Sequence, residues 1–372
     1  MTAVAVVLGA TAEAQGPFQR MRERRQARKG AKAAEAAPSS GLVTRIATLK
    51  EGGARLDWVD NKIAFDMLGP GDVFAVYVMR PDGSDTRCLT CDNPALPKQR
   101  NVGQPAWHPS GRYLVVQVEK AQHPAMRFGH ALEPGSGVMN DLWVLDVETG
   151  RATMIRQVED SPGRGTLHAH FSPDGSMLSW SEMQQKAGLR QAQELGYWQL
   201  MVADFRTDRG GPRLENVNSV TPAGPGFYEN HGFSPDGSRL IFSSNFEGTR
   251  RFRNDIYTMD LRTRKPTRLT NEGYNEHAIY SPDGRSIAWI ANVGNPGGGT
   301  DYWIMNSDGS NKRRLTYFNL KGHPESVGKK VVVADISWRP DGTAFAGYYR
   351  EGGAIESKRH PTKIVLVELR LR

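Results

Sequence analysis

His168-Ala169-His170-Phe171-Ser172-Pro173-Asp174-Gly175 contains the element that decides the fold of this chain. Pro173 presets φ at the first turn position, Asp174 bonds back to the backbone, and Gly175 takes the φ > 0 position, so the stretch is a tight turn between two strands. The turn recurs at Phe233-Ser234-Pro235-Asp236-Gly237, Tyr280-Ser281-Pro282-Asp283-Gly284, Trp338-Arg339-Pro340-Asp341-Gly342 and Trp107-His108-Pro109-Ser110-Gly111, with a degenerate sixth copy at Trp58-Val59-Asp60-Asn61-Lys62. A strand-like run follows each copy, as in Leu178-Ser179-Trp180 and Leu240-Ile241-Phe242. Each copy is therefore a β-hairpin whose leading aromatic packs between sheets.

A second element repeats behind the first: Val76 to Met79, Asp141 to Leu145, Leu200 to Ala203, Asp255 to Met259, Asp301 to Met305 and Lys363 to Val367. Most copies turn through a polar tip into a fourth strand, such as Arg268-Leu269-Thr270 or Arg313-Arg314-Leu315-Thr316. Four strands per unit, with units 47 to 64 residues apart, predict an all-β fold. The fold expected over residues 41–372 is a six-bladed β-propeller of four-stranded antiparallel blades. The 40 glycines and 22 prolines among 372 residues agree with many short strands and tight turns. The last unit lacks a fourth strand, and Leu42 to Leu49 is a strand without a unit. Its pairing with the last blade is expected to close the ring and remove the exposed edges.

The formal charge is +8, but residues 1–40 hold seven basic and three acidic side chains, which is half of that excess. The rest is too dilute for nucleic acid, which needs basic residues gathered on one face. Ala3 to Ala10 is a short apolar run followed by Ala12-Glu13-Ala14, the pattern of a signal peptide (residues 1–14) cut after Ala14. It starts without Lys or Arg, which points to a start codon placed too late. Residues 15–40 read as a solvated basic tail, and no segment reads as transmembrane. The expected location is periplasmic or secreted. Cys88 and Cys91 are the two cysteines, and in an exported protein they are expected to form a local disulfide.

In such blades the connections into strand one and those between strands two and three share one face. Here these connections are long and irregular, as at Glu119 to Asn140 and Arg350 to Thr362, and loops of this kind on a rigid scaffold carry binding. Three residues before each hairpin aromatic stand Arg55, Gln104, His168, Asn230, His277 and Asp335, which predict a polar ring at one mouth of the channel. His170, Glu229, His231 and Glu276 lie beside it. Imidazoles and carboxylates converging from several blades suit a divalent metal such as Mn, Zn, Fe or Ni, or an anionic ligand. A water-filled polar channel accounts for such a ring without any ligand, so both readings stand. Arg250, Arg251 and Arg253, together with Tyr197-Trp198, suit sugars, acidic polymers or peptides.

The aromatic-Ser-Pro-Asp-Gly hairpin, the Asp-Ile-Tyr strand and the Arg-Leu-Thr strand resemble the repeats of TolB-like (WD40-like, PD40) propellers over residues 41–372. That repeat type serves binding proteins, peptidase gating domains and lyases. The chain has no Gly-x-Ser-x-Gly elbow, which sets a peptidase aside. His168-Ala169-His170 before its hairpin also resembles the metal-binding His-x-His of oligogalacturonate lyases. That resemblance implies His168, His170, His231 and His277 as manganese ligands, with Arg127, Arg250, Arg251 or Arg253 meeting a uronate carboxylate. Those lyases have seven blades rather than six, and Gly165 stands where their ligand glutamine would be. Period-two alternation places His231 on the side of its strand opposite Asn230. Two functions follow: an exported propeller binding a protein, peptide or glycan on its channel-mouth face, or a metal-dependent carbohydrate-active enzyme.

Deleting residues 41–49 is expected to abolish cooperative unfolding of the domain, whereas deleting 1–38 is expected to leave its melting temperature unchanged. An unaltered melting curve for the first deletion would exclude the strand from the ring.

Overall fold

The computed structural model describes residues 41–120, 134–161, 163–185, 196–222, 224–248, 253–295, 297–352 and 360–371. The signal-peptide and tail readings, and Arg127, Arg250 and Arg251, lie outside these residues. Blade 1 is β2 (Gly53–Val59), β3 (Lys62–Leu68), β4 (Phe74–Met79) and β5 (Arg87–Cys88). Blade 2 is β6 (Val102–Trp107), β7 (Tyr113–Glu119), β8 (Asn140–Asp146) and β9 (Ala152–Arg156). Blade 3 is β10 (Gly165–Phe171), β11 (Met177–Gln185), β12 (Tyr197–Arg206) and β13 (Arg213–Ser219). Blade 4 is β14 (Tyr228–Phe233), β15 (Arg239–Ser244), β16 (Asp255–Asp260) and β17 (Pro266–Arg268). Blade 5 is β18 (Asn275–Tyr280), β19 (Ser286–Ala291), β20 (Asp301–Asn306) and β21 (Arg313–Arg314). Blade 6 is β22 (Val331–Trp338), β23 (Ala344–Glu351), β24 (Thr362–Leu369) and, as its outermost strand, β1 (Val43–Glu51).

The closure expected from sequence is present: β1 pairs antiparallel with β24, setting Ile46 opposite Val367 and Thr48 opposite Val365. β22 also packs against β2, so the ring has no gap between its last and first blades. At that junction Asp57 joins three blades, with Oδ1 accepting Ser337 Oγ at 2.7 Å and Oδ2 accepting Trp107 N at 2.7 Å.

The repeated residues are explained by the bonds that they make. In the hairpin turn, Asp174 Oδ1 accepts Ser172 Oγ at 2.6 Å and Ser176 N at 3.0 Å, while Ser172 Oγ accepts Met177 N at 2.9 Å. The Ser234–Asp236 and Ser281–Asp283 pairs repeat this at 2.5 and 2.7 Å. The aspartate that opens the third strand holds the fourth. Asp255 accepts Thr270 Oγ1 at 3.0 Å and Arg268 Nη2 at 2.5 Å, and Asp301 accepts Thr316 Oγ1 at 3.0 Å and Arg314 Nη2 at 2.7 Å. The Arg-Leu-Thr signature is thus a clamp whose polar ends grip that aspartate while Leu269 and Leu315 are buried.

The apolar core lies between blades rather than inside one. Six clusters of buried side chains each bridge two neighbouring blades, for example Trp58 and Phe65 with Ala346 and Leu366 across the closing junction. Both faces of a blade are therefore covered, and only its inner edge faces the axis. Among the described residues no helix is long and apolar enough to cross a membrane.

Cys88 and Cys91 are joined at the end of β5. Replacing both by Ala is expected to lower stability by roughly 2 kcal/mol, the loop-closure value for so short a loop, read by denaturant unfolding. Intact-mass alkylation of exported protein should find no free thiol.

Candidate metal and ligand centre at the channel mouth

Side chains of a regular strand stand perpendicular to the sheet, so an unbroken inner strand would aim its side chains at the neighbouring blades and not at the axis. All six inner strands break their register near the predicted ring position: between Ala54 and Leu56, Gly103 and Ala106, Leu167 and His170, Asn230 and Phe233, Glu276 and Ile279, and Ala334 and Ile336. Four ring residues are left-handed there: Gln104 (φ 49°), His168 (48°), His277 (50°) and Asp335 (20°). A side-chain-bearing residue with positive φ is strained, and such strain gathers at functional sites.

Blade 4 differs. Gly232 takes the left-handed conformation at φ 94°, two residues beyond the ring position. As a result His231, not Asn230, faces the centre. Asn230 instead locks two blades, its N donating to Ser181 Oγ at 2.7 Å and its Nδ2 to His168 O at 2.7 Å. His231 and Asn230 thus point to different sides, as strand alternation predicts, and what fails is the expectation that Asn230 belongs to the ring.

Nitrogens of His168, His231 and His277 lie within 4.8 Å of one another. Around them stand three carboxylates. His277 Nδ1 is 2.9 Å from Asp335 Oδ1, and His168 Nδ1 is 3.7 Å from the same oxygen. His168 Nε2 is 3.1 Å from Glu229 Oε1, and His277 Nε2 is 3.9 Å from Glu276 Oε2. A cavity of about 30 Å³ lies among Gln104, His168, His170, His231, His277 and Asp335, the room of one ion or water. His170 lines this cavity with its ring 6.3 Å from that of His168, outside the close group of three. Glu276 faces away in part, accepting Asn254 Nδ2 at 2.6 Å. Arg55 donates from Nε to Asp66 Oδ2 at 2.7 Å, so its charge is already matched. Arg253, half-buried ahead of β16, is not among the cavity-lining residues.

Burial and charge set the protonation of this group. Burial disfavours the charged form of His277, but Asp335 beside it, with Glu229 and Glu276, outweighs burial and pushes the imidazole up to about 10. Burial also disfavours ionised Asp335, yet His277 and His168 hold its carboxyl well below the usual range. Burial raises Glu276 to about 8, with Glu229 adding to the effect. His170 is lowered to about 3 by burial and by His168, and His231 falls well below its ordinary value for the same causes. His231 Nε2 accepts the backbone N–H of His277 at 3.2 Å, and a backbone N–H only donates, so the neutral ring carries its proton on Nδ1.

Sequence reasoning missed two participants. Tyr274 is half-buried next to Glu276 and hydrogen-bonded to it. Gln117, embedded in the apolar run of β7, donates from Nε2 to Gln104 Oε1 and to Thr166 O. A polar side chain in an otherwise apolar buried strand was the available signal for Gln117.

Six closed blades with a histidine-bearing channel mouth define a β-propeller. Comparison with known proteins adds relatives to this fold, although no family model matches the chain. The Tol-Pal system protein TolB of Anaeromyxobacter dehalogenans strain 2CP-C is 24% identical over 225 residues, covering 55% of this chain and 47% of that protein. TolB of Anaeromyxobacter sp. strain K is 24% identical over 189 residues, covering 49% and 39%. The matched region thus spans about half or less of the curated relatives. Among solved structures, TolB of Acinetobacter baumannii superimposes with a TM-score of 0.52 at 19% identity over 83% of this chain and 65% of that one. An oligogalacturonate lyase in complex with manganese gives 0.52 at 13% identity over 90% and 95%. At these identities the likenesses bear on fold, and the fold is that of a TolB-like propeller.

The Asp335–His277 pair sets a pH dependence. Asp335 is depressed, so its contribution is present above its ordinary value of 3.8 and is lost as pH falls. His277 is raised, so its contribution is full below 6.5 and is lost as pH climbs toward about 10. In metal-free protein the pair should stabilise most between these ordinary values. Asp335→Asn should cost about 3–5 kcal/mol by leaving His277 without its close counter-charge. The NMR signals of His277 should be flat between pH 5 and 8 in the parent and should titrate in Asp335→Asn; identical titration in both would refute the pairing.

Proposed function

We propose that this protein is an exported ligand-binding propeller whose functional centre is the channel mouth, and that His168 and His277, with Asp335 between them, hold a divalent cation there. The observation that carries this reading is the convergence of imidazoles from three successive blades within 4.8 Å, beside carboxylates and an ion-sized cavity. His231 completes a three-nitrogen set only if its Nε2 gives up both Ser243 Oγ at 2.7 Å and the His277 amide at 3.2 Å. When bound, the cation would supply a Lewis-acid point for an oxygen of the ligand. The borderline imidazole and hard carboxylate donors suit Mn or Zn. The ligand is a protein, peptide or glycan taken up on the face where the inner strands begin. The joined Cys88–Cys91 pair supports a periplasmic or secreted location.

A metal-dependent lyase acting on uronate-bearing glycans is the second reading, supported by the lyase superposition over nearly the full length of both chains. It ranks second because that likeness, at 13% identity, bears on the fold alone.

Adding Mn or Zn to metal-free protein should raise its melting temperature, by an amount equivalent to about 2.7 kcal/mol at a hundredfold excess over Kd. His168→Ala/His277→Ala should remove the response. Because a ligating imidazole must lose its proton and His277 holds one, the response should weaken from pH 8 to pH 5. A response that survives the double substitution, or none in the parent, would leave only a hydrated channel. Absence of unsaturated uronate absorbance from metal-loaded protein would exclude the lyase alone.

A further inference from the structure

We infer that Gln104 is a specificity-determining donor of the channel mouth, and that the ligand bound there presents an acceptor oxygen to its Nε2. The inference rests on the reading that the mouth is the functional centre, but not on a cation being bound.

The orientation of the Gln104 amide is fixed by a chain of groups, each anchored on backbone. Thr166 N donates to Asn140 Oδ1 at 3.0 Å, and since a backbone N–H only donates, Asn140 Nδ2 is turned toward Gln117 Oε1 at 3.5 Å. Gln117 Nε2 donates to Thr166 O at 2.9 Å, and a carbonyl only accepts, so that amide is fixed as well. Its remaining proton goes to Gln104 Oε1, which also accepts His168 N at 3.0 Å. Flipping Gln104 would set an NH₂ group against two donors.

Nε2 is therefore the free end of this relay. It is buried, has no hydrogen-bond partner, and belongs to a residue that lines the cavity with His168, His277 and Asp335. Native structures rarely leave a buried donor unpaired. The left-handed backbone at Gln104 adds strain at the same residue. With Oε1 committed to two donors, Gln104 offers no oxygen to a metal. What it offers is a positioned N–H, which rewards a carboxylate or carbonyl oxygen and rejects a ligand that only donates.

The test uses the full chain freed of metal, titrated calorimetrically with acetate and with acetamidine at matched ionic strength. The two probes are planar and of similar size, but one accepts and the other only donates. A hydrogen bond from a buried donor to a charged acceptor predicts roughly tenfold or greater preference for acetate. Gln104→Glu keeps an acceptor toward His168 and Gln117 but removes the donor, and should erase or invert that preference. Equal affinities in the parent, a comparison that needs no variant to fold, would overturn the inference, as would an acetate preference surviving in Gln104→Glu. Mn or Zn titration of the same sample reads the cation proposal separately. Loss of the metal response with the acetate preference intact sinks only that proposal, and the reverse sinks only this one.

Discussion

The inner-strand bulge is the constraint on which the rest of this molecule depends. A blade packed on both faces has no side of its strands left for chemistry, because every regular side chain points into a neighbour. Breaking the ladder once per blade turns one side chain toward the axis and leaves a backbone N–H that the partner strand no longer takes. Buried, that N–H must find an acceptor. The preceding blade supplies it: Asp66 for Gln104, Gln104 for His168, Ser181 for Asn230 and His231 for His277. Gln104 and His231, which line the channel mouth, therefore also hold the next blade's bulge in place, and positioning runs head to tail from blade 1 to blade 5.

This double duty explains why composition alone understates the site. Gln104 is both a ring residue and the acceptor that fixes His168, and His231 is both an imidazole of the cluster and the acceptor that fixes His277. Ligation by His231 through Nε2 would require the His277 amide to find another partner, so the resting arrangement favours His168, His277 and Asp335 as the cation set. The neighbourhood is coupled through backbone, not only through charge.

Architecture was legible because each repeat carries its own mechanism. The Ser-Pro-Asp-Gly turn and the Arg-Leu-Thr clamp state their bonds in local sequence, and the strand at Leu42 to Leu49 announced closure by lacking a blade. Four of the six ring positions were legible as well, since Gln104, His168, His277 and Asp335 line the cavity at their fixed offset from the hairpin aromatic. Side-chain direction was less so. Period-two alternation set His231 opposite Asn230, but the fixed offset chose Asn230 for the ring where His231 lines the cavity, and only Gly232 hinted that blade 4 bends later than the others. Asn140, Gln117 and Thr166 stayed hidden because they meet only after blades 2 and 3 are packed. Arg250 and Arg251, singled out from sequence, fall outside the described residues, and Asn230 proved to be an inter-blade lock.

Polar networks that serve only to hold a fold tend to close on themselves, as the Asp255 and Asp301 clamps do. The channel mouth does not. Gln104 Nε2 and Glu229 Oε2 are buried there without a hydrogen-bond partner. One is a donor and the other an acceptor, and a single water could serve both, its oxygen taking the amide N–H and its own O–H donating to the carboxylate. The proposed cation, carrying an oxygen ligand, would meet the same two demands. The mouth therefore asks of any occupant an oxygen toward Gln104 and a proton or positive charge toward Glu229, inside a frame that the pairing of β1 with β24 closes.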